Sequence, residues 1–79
     1  MTDEAIDQAI FSMLAEMPGW RKVAAVVLRV AHAMGDDLTD GDEEYEHVAQ
    51  RVEALVTEGR VIVQGDIKKP RFSEVRLPD

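Results

Sequence analysis

The sequence predicts one small α+β domain, three helices followed by a β-hairpin. Three observations predict it. Apolar residues recur at helical spacing as far as about Glu58. The last twenty residues change to alternation. Glycine or proline stands at each junction: Pro18-Gly19, Gly35, Gly59 and Gly65-Asp66. No internal repeat or low-complexity segment divides the chain, so residues 1–79 read as a single domain.

The first helix is expected over about 3–17. Thr2 can cap it, and Asp3 and Glu4 sit in the first turn, where the helix dipole favours acid. Ile6, Ile10, Met13, Leu14 and Met17 form its apolar stripe. Pro18 ends it, because a residue before proline avoids the helical region.

A second helix is expected over about 21–34. Val23, Val26, Val27, Val30 and Met34 share one face, with Arg21, Lys22, Arg29 and His32 opposite. The valines also suit a strand over Val23–Val30, but the spacing of the three cations fits a helical face better than alternation. Valine lowers helix propensity, so tertiary packing has to favour this helix. Gly35 is a natural left-handed cap.

A third helix is expected over about 41–58, with Asp40 and Glu43 spaced as a capping box. Tyr45, Val48, Ala49, Val52, Leu55 and Val56 share its inner face, and Gly59 closes it. The hairpin strands are expected at about 60–64 and 72–77. A loop of about seven residues, Gly65 to Arg71, joins them. Pro70 falls at its rim, where no ladder donor is required.

Size and composition narrow the function. A chain of 79 residues, 46 % apolar, has the material for one modest core. Such a domain buries roughly 60–65 % of the surface of its unfolded chain. An interior substrate cavity would compete with that core, which disfavours an enzyme. The absence of cysteine excludes disulfides and thiolate metal sites and points to a reducing, cytoplasmic location. No apolar run is long enough to span a membrane, and Met1-Thr2-Asp3-Glu4 lacks the basic start of a signal peptide.

The net charge of −7 disfavours attraction to nucleic acid and anionic lipid, but it is segregated. Residues 1–20 carry −4, 21–39 carry +1, 40–58 carry −6 and 59–79 carry +2. The third helix is therefore acidic and the tail basic.

The run Leu55-Val56-Thr57-Glu58-Gly59-Arg60-Val61-Ile62, followed by Gly65-Asp66, resembles the end of the third helix and the start of the wing in winged helix-turn-helix domains. The tail Arg71-Phe72-Ser73-Glu74-Val75-Arg76-Leu77-Pro78 also resembles a family of small bacterial domains of unknown function. The winged-helix resemblance implies a third helix that enters the DNA major groove and a wing that touches phosphate. It also implies a short third strand between the first two helices, and dimer contacts through the first helix.

The residues of this chain fit DNA poorly. Glu43, Glu46, Gln50 and Glu53 lie on the exposed face of the third helix, where base and phosphate readout use mostly cations and amides. Asp36, Asp37, Asp40 and Asp42 precede it, and Arg51 alone carries the right sign. Lys68, Lys69 and Arg71 cluster in the hairpin loop, with Arg60 and Arg76 nearby. They either contact phosphate or an acidic partner, or protect an exposed edge from aggregation.

Four apolar residues are candidates for a partner interface: Phe11, Trp20, Ile62 and Phe72. Alternation places Val61, Val63, Val75 and Leu77 inward, and Ile62, Phe72, Glu74 and Arg76 outward. Ile62 and Phe72 then either form an interface or Phe72 packs onto Trp20. Phe11 lies off the main stripe of the first helix, and either widens the core face or makes a dimer contact.

Metal and catalytic chemistry find little support. Aligned as a calcium loop, Asp36 to His47 has Leu38 at the third position and His47 at the twelfth, so two main ligands are missing. The two histidines, His32 and His47, lack the further ligands of a zinc site. Ser12 and Ser73 have no histidine near in sequence, and the five glycines are dispersed as caps and turns rather than gathered in a phosphate loop. The sequence thus suggests no catalytic residue, metal or cofactor. It suggests an interaction or regulatory module for another protein or for a homodimer, with DNA binding through the basic wing as the alternative.

Overall fold

Thr2 starts the first helix as its chemistry requires. In the computed structural model, which describes residues 2–33 and 43–78, the Thr2 hydroxyl accepts a hydrogen bond from Ala5 N at 3.1 Å. This satisfies one of the donors that a helix start leaves open. Helix α1 spans Asp3–Glu16 and buries Ile6, Ile10, Met13 and Leu14. The Gly35 cap, the Asp40–Glu43 capping box and the calcium-loop alignment lie outside the described residues, as does the course of the chain from Met34 to Asp42.

The second helix begins two residues later than expected. Arg21–Lys22 form a strand, β1, and α2 runs Val23–Ala33. Helical periodicity starts at Val23, whereas residues 21 and 22 have a better use for their backbone groups. They pair antiparallel with the last strand, Arg21 with Val75 and Lys22 with Glu74. Gly19, at φ +98°, turns the chain into this strand. The Arg21 guanidinium folds back to accepting carbonyls, Met17 O at 3.1 Å and Pro18 O at 3.0 Å. It thereby caps the end of α1. Val23, Val26, Val27, Val30 and Ala31 are buried on α2, so packing overrides the low helix propensity of valine.

Helix α3 spans Glu43–Thr57. Its end is a Schellman motif: Arg60 N donates to Leu55 O and Gly59 N to Val56 O, both at 3.0 Å. Gly59 has the left-handed φ of +76° that this motif needs. Tyr45, Val48, Val52 and Leu55 are buried, with Ala49 and Val56 at the margin.

The sheet has three antiparallel strands in the order β1-β3-β2. Strand β2 is Ile62–Gly65 and β3 is Ser73–Arg76, both shorter than the expected 60–64 and 72–77. Pairing runs from Ile62–Arg76 to Gly65–Ser73. The connection is shorter of strand because it organises itself. Asp66 Oδ1 accepts from Lys68 N at 3.0 Å, Asp66 O accepts from Lys69 N at 2.9 Å, and Lys69 O accepts from Phe72 N at 2.8 Å. Pro70–Phe72 form a single 3-10 turn. Phe72 therefore belongs to this turn and not to the strand. The Ser73 hydroxyl, buried, donates to Lys69 O at 3.0 Å, so no polar cost remains there.

One apolar core joins all of this. Ile6, Ile10 and Leu14 of α1, the valines of α2, Val48, Val52 and Leu55 of α3, and Val61 and Val75 of the hairpin form one buried cluster. No described helix is long and apolar enough to cross a membrane.

Among the described glycines, Gly65 has the tightest surroundings. Its φ is +87°, and a Cβ there would lie 2.6 Å from the carbonyl oxygen of Phe72. At Gly59 a Cβ would meet open space. Gly65→Ala should therefore lower the unfolding free energy by about 2–4 kcal/mol, and Gly59→Ala by about 1 kcal/mol. Urea titration followed by circular dichroism reads both. Equal losses would show that the close approach at Gly65 carries no weight.

Candidate interaction surfaces

The register of the sheet decides which side chains face outward. Ile62 stands opposite Arg76, and Gln64 opposite Glu74, on the face away from Val63 and Val75. Lys22 joins that face from β1. Gln64 Nε2 donates to Glu74 Oε1 at 2.8 Å. The Arg76 guanidinium lies over the Trp20 ring, 5.1 Å from its centroid. Arg76 thus covers the indole, and Phe72 is left 76 % exposed. Among the described residues, Phe72 and Trp20 are the exposed large apolar side chains, while Ile62 is half-buried.

Phe11 sits at the margin of the core, half-buried against it. The guanidinium of Arg60 lies over its ring at 4.8 Å from the centroid. Two arginines near the basic loop in sequence, Arg60 and Arg76, are thus laid on aromatic rings. Lys68, Lys69 and Arg71 are exposed in the loop. Lys68 Nζ lies 3.6 Å from Glu53 on α3, and Lys22 Nζ donates to the Arg71 carbonyl at 3.2 Å.

The acidic helix has an unexpected internal use for its one arginine. Arg51 Nε and Nη2 donate to the two oxygens of Asp7 on α1, at 2.9 and 2.7 Å. The side chains are only 22 % and 14 % exposed. The hydrogen bond to Asp7 raises the Arg51 pKa above its ordinary value; burial opposes this, and the charges of Asp7 and Asp3 add to it. One turn earlier, His47 Nε2 meets Asp3 Oδ1 at 2.7 Å, with both side chains about half exposed. Asp3 and Asp7 on α1 thus face His47 and Arg51 on α3 with the same four-residue step. Sequence spacing shows each step but not their pairing, because the partners are 44 residues apart.

The outer side of α3 keeps its acid. Glu46, Gln50 and Glu53 follow one another at helical spacing, exposed or half-exposed. Together with Tyr45 and Ala49 they form one wall of a cleft of about 250 Å³. The facing wall is Ile67, Lys68 and Pro70 of the loop. This cleft was not foreseen from the sequence. Its one signal was Ile67, an isolated apolar residue in a polar loop, and that signal shows neither the 3-10 turn nor the fold of the loop toward α3.

Compared with protein-family models, curated proteins and solved structures, the chain matches none.

The bidentate pair should couple measurably and the exposed pair should not. A double-mutant cycle with Asp7→Ala and Arg51→Ala is expected to give a coupling of about 1–3 kcal/mol. The cycle with Asp3→Ala and His47→Ala should give about 0.5 kcal/mol or less. Phe72→Ser, at an exposed turn, should change stability by no more than about 0.5 kcal/mol. Denaturant unfolding of the variants measures all three.

Proposed function

We propose that this chain is a non-catalytic interaction module of winged-helix type, which binds another protein or a second copy of itself. The winged-helix part draws on the order of elements: a short strand between the first two helices, a third helix, then a hairpin, with β3 between β1 and β2. The interaction part rests on one observation. The only arginine of α3 is turned inward to Asp7, and the outer side offers Glu46, Gln50 and Glu53. A recognition helix of that character repels phosphate instead of positioning on it.

A second reading, a dimeric DNA-binding regulator, draws on the exposed Lys69 and Arg71 of the loop. Polarisation titration with random duplex DNA at about 50 mM salt separates the two, since phosphate contacts are strongest at low salt. No binding is expected. Binding that weakens steeply with salt, and is lost in a Lys68→Ala, Lys69→Ala, Arg71→Ala variant, would overturn the first reading.

A further inference from the structure

We propose that the cleft between α3 and the 66–72 loop docks a basic segment of a partner protein, one apolar side chain flanked by lysine or arginine. The proposal rests on the interaction-module reading above and names the chemistry of the partner at one site. The lining mixes polar and apolar groups, and its apolar part includes Ala49 and Ile67. Ala49 and Ile67 both pack against the core, and Ala49, being small, leaves the space that a longer side chain on α3 would fill. The rim is acidic. Glu46, Gln50 and Glu53 stand along it at successive turns of the helix.

Charge selects the occupant. Arg51, the cation on α3, is held on Asp7 and away from this rim. Lys68 is the one cation among the described lining residues, and it reaches Glu53 at 3.6 Å with the two side chains 77 % and 41 % exposed. So exposed a pair is weak and exchanges easily for an incoming lysine or arginine. Size selects as well. A volume of about 250 Å³ lies below the range of small-molecule sites, about 300–1,000 Å³, and suits a side-chain anchor. A side-chain anchor in a small pocket with complementary charge at the rim is a recurrent form of protein contact.

The test uses the whole chain, labelled with ¹⁵N, and a fluorescent peptide of alternating leucine and lysine. A leucine–glutamate peptide is the control. Saturable binding of the basic peptide alone is expected, with amide shifts at Glu46, Ala49, Gln50 and Ile67. Glu46→Lys with Gln50→Lys should weaken it about tenfold or more, and Ala49→Met, which fills the cleft, should do the same. Glu4→Lys with Glu16→Lys changes the net charge more but lies on α1, and should alter affinity within about twofold. Equal weakening by the α1 variant, or no saturable binding, would overturn the site. Shifts confined to Trp20, Ile62 and Phe72 would overturn the cleft and keep the interaction reading. Failure of the peptide together with salt-sensitive binding of duplex DNA would overturn both.

Discussion

Val75 has a strand on each side. It pairs with Arg21 in β1 and with Val63 in β2, and its own side chain is wholly buried. A two-residue strand has no stability alone, so β1 exists because β3 offers it a ladder. That pairing also sets where α2 begins, since Val23 follows directly on Lys22. β3 in turn is placed by the Gly65 turn and by Ser73, whose hydroxyl ties the strand to Lys69. The ends of α1 and α2, the sheet and the loop therefore share one constraint, the position of β3.

The charges follow from the same economy. A small domain has little core, so its cations are drawn into packing. Arg51 joins α3 to α1, Arg60 covers Phe11 and Arg76 covers Trp20. Each guanidinium adds contact area as well as charge, which a lysine would do less well. Glu46 and Glu53 of α3 have fewer such uses and face outward. The formal charge of −7 consequently hides how unevenly acid and base are placed.

What could be read from the sequence was what depends on neighbours in sequence. Ile6, Ile10 and Leu14, or Val48, Val52 and Leu55, announce a buried helical face by spacing alone, and all are buried. Thr2 and Gly59 announce caps, and both act as caps. Residues 21–22 were misread as helix because their conformation is dictated by Val75 and Glu74, more than 50 residues away. Phe72 was misassigned to a strand because alternation cannot show that Lys69 to Phe72 closes a 3-10 turn. At the candidate surfaces, Phe72, Trp20 and the loop cations were legible as exposed chemistry, whereas Ile62, expected outward, is half-buried. The use of Arg51, and the cleft beside Ala49, depend on how α1 and the loop pack on α3.

The loop from Asp66 to Phe72 borders two surfaces at once. On one side Ile67, Lys68 and Pro70 face α3. On the other, Arg71 accepts from Lys22 through its carbonyl, beside the exposed Phe72. Its internal hydrogen bonds, from Lys68 N to Asp66 and from Phe72 N to Lys69, fold it into one compact turn. Both surfaces meet the sheet at Gly65, where the close approach of the Phe72 carbonyl leaves no space for a side chain. The same short turn thus sets the position of Lys68 beside Glu53 and of Phe72 on the outer side.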